Sequence, residues 1–151
     1  MRSIKERVIR NWEYADKVEI NNTDFIYNHS GIKGRSYAIQ NTTKYFKEAF
    51  AAFNLYPDHV EERLGIMLIK HDQDGTYTQQ HRDPAPPASI HVRVNVMLKK
   101  PPKGGDAVID GNVITLDQND IWLIYTNLEY HGSTPIYGGE RLIYSFGGIL
   151  I

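Results

Sequence analysis

The sequence contains no cysteine. That excludes disulfides, iron–sulfur ligation, thiol nucleophiles and cysteine zinc sites. It leaves the compartment open, because a cysteine-free chain suits reducing and oxidising spaces alike. Charge of one sign is also missing: 17 Lys and Arg face 18 Asp and Glu, a formal net charge of -1. No global basic field points to nucleic acid or an anionic membrane, and neither is expected as a partner. No run approaches the ~18 consecutive apolar residues of a membrane span. The start, Met1-Arg2-Ser3-Ile4-Lys5-Glu6-Arg7, lacks the apolar stretch of a signal peptide, so a cytoplasmic location is the expectation. There is no internal repeat, low-complexity segment or linker. What remains is 151 residues, 41% hydrophobic and 23% charged. That fits one soluble domain, taken as residues 1–151, with a real core.

The first forty residues carry weak signals. Short strands are expected at 18–20, around Phe25-Ile26-Tyr27, and at 36–40, between turn residues. Asn41, Thr42 and Thr43 then offer helix caps. Behind them Tyr45, Phe46, Ala49, Phe50 and Phe53 recur at helical spacing. This predicts one main helix near residues 42–54, ended by Pro57, with its aromatic stripe packed on a sheet.

From about residue 63 the pattern is β. Strands are expected at 64–70, 76–80, 90–98, 121–125 and 142–150, with a tight hairpin turn at Asp110-Gly111. Residues 83–87, rich in proline, cannot continue a central ladder and read as a stiff loop. Along 90–98, Ile90, Val92, Val94 and Val96 share one face, and His91, Arg93, Asn95 and Met97 share the other. In a plain sandwich the polar face would meet solvent; in a ligand-holding jelly roll it would face the cavity. Short strands, frequent turns and one helix predict a mainly β (α+β) fold, a double-stranded β-helix or jelly roll with one supporting helix.

Chemistry is concentrated in a histidine, one residue, an aspartate, and a second histidine far downstream. His81 and Asp83 are two apart, so in extended chain both side chains leave on one side. His131 must arrive from an antiparallel neighbour. Two imidazoles and one carboxylate cover one face of an octahedral metal and leave three positions open, the facial triad of non-haem Fe(II) oxygenases. Arg141 follows on the next strand, where a cation can hold an acidic co-substrate.

On His81-x-Asp83, Gly104-Gly105, His131-Gly132-Ser133-x-Pro135 and Gly139-Glu140-Arg141, residues 60 to 150 resemble the Fe(II)/2-oxoglutarate-dependent dioxygenases, in the prolyl-4-hydroxylase-like branch. The resemblance implies a jelly roll, Fe(II) held by His81, Asp83 and His131, and 2-oxoglutarate with its distal carboxylate on Arg141. Arginine suits that task because its planar fork pairs bidentately with a carboxylate. Ser145 shares the strand face of Arg141, with Ile143 between them; many relatives place a serine where Ile143 stands, and another group replaces the arginine by lysine. Tyr77 and Asn95 are the candidates for further hydrogen bonds to the co-substrate. Arg93 is a candidate for substrate contact or for pairing with an acidic neighbour, because a buried arginine needs a partner. His91 reads as a structural histidine and Trp122 as a core aromatic. Tyr14, Tyr27 and the 84–89 loop are candidates for the entrance.

The implied reaction consumes dioxygen and 2-oxoglutarate, releases succinate and carbon dioxide, and hydroxylates an unactivated C–H bond of a prolyl, peptidyl or small-molecule substrate, with ascorbate as a supporting reductant. Related halogenases replace the carboxylate ligand by a small residue; Asp83 favours hydroxylation. Two rivals remain: a metal-dependent cupin-type enzyme that does not use 2-oxoglutarate, and a non-enzymatic jelly-roll binding module.

Overall fold

The protein is described from a computed structural model that covers residues 4–21, 26–30 and 33–151. The single turn of 3-10 helix Ile4–Arg7 leads into β1 (Val8–Ile9); β2 (Ile26–Ser30) and β3 (Lys33–Gln40) follow. Helix α1 (Phe46–Ala51) precedes β4 (His59–Val60), β5 (Ile66–His71), β6 (Ile90–Lys99) and β7 (Lys103–Gly104). The chain then runs through β8 (Ala107–Ile109), β9 (Asn112–Ile114), β10 (Ile121–Tyr125), β11 (His131–Ser133), β12 (Ile136–Tyr137) and β13 (Arg141–Leu150).

A large antiparallel sheet in the order β1-β10-β6-β13-β5-β3-β2, with β4 on β13, faces a small one in the order β11-β8-β9, and β12 pairs with β7. This is the double-stranded β-helix expected from the sequence. The two faces of the large sheet explain its alternation. Val92, Val94, Val96, Leu123, Leu68 and Phe146 pack under Phe46, Ala49, Phe50 and Phe53 of the helical segment. The opposite face carries Met97, Trp122, Ile124 and Ile143, which meet Ala107, Ile109 and Ile114 of the small sheet. Arg93 and Asn95 have the parity of Met97, so the polar side of β6 turns into the space between the sheets.

Three expectations shift. The helix spans six residues rather than thirteen. Thr42 and Thr43 are spent on the preceding turn, where Lys44 N–H donates to Thr42 Oγ1 and Phe46 N–H to the Thr43 carbonyl. Tyr45 then sits at φ 68° and the helix starts after it, without a side-chain cap. Asn54, at φ 57°, ends the helical turns before Pro57 is reached. Residues 18–20 form no strand and lie beside residues 40–44, with Val18 packed against the core; the sheet edge on β10 is taken by Val8–Ile9. Residues 76–80 run beside 133–136 without a regular ladder. Thr78 N–H donates to the Ser133 side-chain oxygen, 2.9 Å away, rather than to a carbonyl. The expected strand at Phe25 lies outside the described residues, whereas Ile26 and Tyr27 belong to β2. At 110–111 the hairpin turn is as expected, with both residues at positive φ, which matches a type I′ turn. Among the described residues no helix is long and apolar enough to cross a membrane.

Candidate metal centre and its cavity

His81 and His131 are joined by their own backbones. His81 N–H donates to the His131 carbonyl at 2.9 Å, and His131 N–H returns the bond at 3.0 Å. This two-residue antiparallel bridge sets the rings 4.5 Å apart, centre to centre. Gly132 permits it: a Cβ there would stand 2.6 Å from the Thr78 carbonyl oxygen and 3.0 Å from Gln80 N, both backbone atoms. Gly132→Ala is therefore expected to part the two segments and weaken divalent-metal binding about 10–100-fold, the usual effect of losing a group that orients ligands. A metal titration checks this; unchanged affinity would mean the bridge does not position the histidines.

Asp83 is placed from the other side. Its N–H donates to the Thr126 carbonyl at 2.8 Å. Its two carboxylate oxygens face the two rings, Oδ1 at 3.1 Å from His81 Nε2 and Oδ2 at 3.5 Å from His131 Nε2. The three ligand atoms lie within 4.8 Å of one another. Bonds of about 2.1 Å at right angles put neighbouring ligand atoms about 3 Å apart, so the set fits one divalent ion with little adjustment.

The ring tautomers point the same way. His81 Nδ1–H donates to the Gln79 carbonyl at 2.7 Å, and His131 Nδ1–H to the Glu129 carbonyl at 2.9 Å. Carbonyls only accept, so each Nδ1 carries a proton and neutral rings would turn bare Nε2 lone pairs toward a carboxylate. Three acceptors cannot share that space without a cation or added protons between them. Burial would raise the Asp83 carboxyl, but protons added to the facing His131 and His81 nitrogens would outweigh this and hold it well below the usual carboxylate range. Behind His131, Glu129 is itself fixed by a buried ion pair to Arg7 at 2.6 Å and by the Tyr125 N–H. Nothing in the sequence patterning marked Arg7 or Glu129.

The triad opens into a cavity of about 60 Å³ between the sheets. Its wall includes Asn95, Trp122, Arg141 and Ser145, with Leu64, Met67, Ile69, Ile124 and Ile143 as apolar lining. The volume lies far below the about 300–1,000 Å³ of drug-sized pockets. It excludes a nucleotide-sized cofactor.

Arg141 is 4% exposed. Its Nε donates to the Gly105 carbonyl at 2.9 Å, and among the described residues it forms no salt bridge. Gly105, at φ 75°, presents that carbonyl from the Gly-Gly turn. Burial pulls the Arg141 guanidinium down to about 10, partly countered by the charge of Asp106. Asp106 is itself engaged with Lys100 at 3.2 Å.

Arg93 also reaches the cavity but is well engaged. Nη1 donates to Ser145 Oγ at 2.9 Å, Nε donates to His91 Nε2 at 3.1 Å, and Nη2 lies 3.6 Å from Glu61 Oε2. Burial would raise the Glu61 carboxyl, but the N–H groups of Leu64, Arg63 and Gly65 bring it below its ordinary value. Burial and the Arg93 charge push His91 down, so its ring is neutral; Nδ1–H donates to the Pro84 carbonyl at 3.1 Å, beside Asp83. Of the other residues singled out from sequence, Ser145 and Asn95 stand opposite each other on β13 and β6. Tyr77 is not in the lining; Thr78 takes that side of the extended segment. Tyr14 stacks on Tyr45, on the helix side of the large sheet. The Tyr27 side chain lies outside the described residues.

No family model matches the chain, and no curated protein matches it in sequence. Among solved structures, an oxidoreductase of the 2OG-Fe(II) oxygenase family from Burkholderia pseudomallei superposes with TM-score 0.47 at 16% identity, over 56% of this chain and 41% of that one. The viral collagen prolyl hydroxylase of Paramecium Bursaria Chlorella virus-1, in its 2OG complex, gives TM-score 0.43 at 18% identity over 56% of each chain. The chain thus spans about two fifths of the first protein and just over half of the second. A predicted oxalate decarboxylase from Thermotoga maritima gives TM-score 0.52 at 8% identity, over 88% of this chain and 100% of that one. What the chain shares with that protein is its fold, the double-stranded β-helix.

Proposed function

We propose that this chain is a single-domain, non-haem Fe(II)- and 2-oxoglutarate-dependent oxygenase that hydroxylates an unactivated C–H bond of a prolyl, peptidyl or small-molecule substrate. The observation that carries the reading is the meeting, in one small cavity, of a two-histidine, one-carboxylate triad with a buried arginine that has no carboxylate partner among the described residues. A buried cation without a counter-charge is costly. An acid that bridges metal and arginine supplies that charge.

In this reading His81, Asp83 and His131 hold Fe(II), and Arg141 pairs with the far carboxylate of 2-oxoglutarate. When bound, the iron and 2-oxoglutarate supply the activation of dioxygen, with succinate and carbon dioxide as co-products. The protein's share is placement and dryness. Asp83 contributes one negative charge and the two rings none, which leaves the centre cationic enough to attract an anionic co-substrate. The apolar lining from Leu64, Met67, Ile69, Ile124 and Ile143 keeps bulk water from the reacting centre.

Anaerobic titration of the apo-protein with Fe(II) and 2-oxoglutarate tests the proposal. A weak visible charge-transfer band should appear only when both are present. Metal binding without the band would favour a cupin-type enzyme that does not use 2-oxoglutarate. No metal binding would leave a binding module.

A further inference from the structure

In the cavity wall Trp122 Nε1 and Asn95 Oδ1, both buried, have no hydrogen-bond partner among the described residues. They belong to neighbouring strands in direct register. Trp122 stands opposite Asn95 across β10 and β6, and Asn95 opposite Ser145 across β6 and β13. All three side chains line the cavity that opens on the metal centre. Ser145 already accepts from Arg93. The indole and the amide are the members of this row still to be satisfied.

Trp122 is 1% exposed and belongs to the apolar cluster between the sheets. For that packing role alone a phenylalanine would serve, without a buried N–H that carries the full desolvation penalty of an unmade hydrogen bond. A buried tryptophan usually finds an acceptor for its N–H. Here the cavity is the place where one can come from.

We propose that Trp122 is a ligand-binding residue: its indole N–H donates to an oxygen of the acid bound in the cavity, while the Asn95 amide oxygen beside it accepts from a hydroxyl or a water that accompanies the acid. This rests on the oxygenase reading for the identity of that acid, 2-oxoglutarate. The chemistry of the row restricts the ligand independently. An indole N–H has no acceptor capacity. The Trp122 position therefore takes a carboxylate, oxo or hydroxyl oxygen and offers nothing to an ammonium group. With Arg141 also in the wall, the cavity selects a compact acid carrying a second oxygen function.

Nuclear magnetic resonance of the whole chain tests this directly. The sequence has two tryptophans, hence two indole N–H signals, and Trp122→Phe identifies one by its loss. The protein is loaded with Zn(II), a diamagnetic replacement for iron, and titrated with 2-oxoglutarate. The Trp122 signal should move downfield and exchange more slowly with solvent. The Trp12 signal, on the helix side of the sheet, should stay. Calorimetry on Trp122→Phe should show about 10-fold weaker 2-oxoglutarate binding, as for one lost hydrogen bond to a charged acceptor, with Zn(II) affinity unchanged. If 2-oxoglutarate binds but the Trp122 signal stays still and Trp122→Phe keeps full affinity, the proposal is overturned while the oxygenase reading stands. A signal that responds to Zn(II) and no further to the acid overturns it too, since a bridging water then satisfies the row. If the metal-loaded wild type does not bind 2-oxoglutarate at all, the oxygenase reading fails first and the proposal with it.

Discussion

Asp83→Ala is expected to remove metal binding from an otherwise folded protein. The carboxylate is the one formal negative charge of the triad, and it lies between two imidazole nitrogens at 3.1 and 3.5 Å. Without it, two neutral rings remain, and affinity should fall by well over the about 10–100-fold that follows from disturbing an outer partner of a metal ligand. The effect is readable as stability. A ligand present at 100 times its Kd stabilises the folded state by about 2.7 kcal/mol. For a chain of this size that raises Tm by about 5–10 °C. The wild type should show this rise with a divalent metal under anaerobic conditions, and Asp83→Ala should not. Asp83→Asn, which keeps one oxygen but not the charge, should fall between them. A full metal-induced rise in Asp83→Ala would remove Asp83 from the site. In the apo-protein the same substitution also removes the partner of two histidines, so the metal-free Tm must be measured beside it.

The sequence made some of this legible, for definite reasons. Residues 90–98 alternate with period two and have no proline or glycine, so strand and facing could be read together; Val92, Val94 and Val96 pack under the helix and Arg93, Asn95 and Met97 face inward. The aromatic stripe on 45–53 revealed which helix face is buried but not the length of the helix. Length was decided by Tyr45 and Asn54 adopting positive φ, which side-chain spacing does not report. A strand at 18–20 failed because a strand needs a partner as well as a composition, and this stretch runs beside residues 40–44, held by Lys44 on Glu19 and Asn21 N–H on Gln40 Oε1 rather than by a ladder. In the site, His-x-Asp spacing placed two side chains on one side of an extended chain. The bridge that brings His131 against His81 depends on a close backbone approach at Gly132, which no periodicity encodes. Arg93 could be seen to need an acid, but Glu61 lies in a stretch without a motif, and only the fold puts them 3.6 Å apart. Trp122 was read as core because its apolar bulk fits there; its unpartnered N–H depends on what surrounds it.

Arg141 carries the second large effect, and it has opposite signs with and without ligand. The guanidinium is 4% exposed, and burial draws its pKa down to about 10, a sign that the folded chain does not fully compensate its charge. In the apo-protein that charge is a liability, because a buried ion without a close counter-ion costs more than an apolar side chain of similar size. Arg141→Met should therefore raise the Tm of the ligand-free protein. With 2-oxoglutarate present the order should reverse. Removing one member of a buried charge pair costs about 2–5 kcal/mol of binding, roughly 30-fold to several thousand-fold in Kd by the tenfold-per-1.4 kcal/mol rule. Metal affinity should hardly change, because the metal ligands come from other segments. Arg141→Lys should recover only part of the loss: it keeps the charge but gives up the planar fork, and with it the Nε donor to Gly105 that orients the group. Calorimetric titration of the metal-loaded protein with 2-oxoglutarate, beside thermal melts of each apo variant, separates the two signs. An Arg141→Met protein that binds 2-oxoglutarate as tightly as the wild type would show that the acid is held elsewhere. One that is less stable than the wild type when empty would show that the charge is already neutralised within the fold.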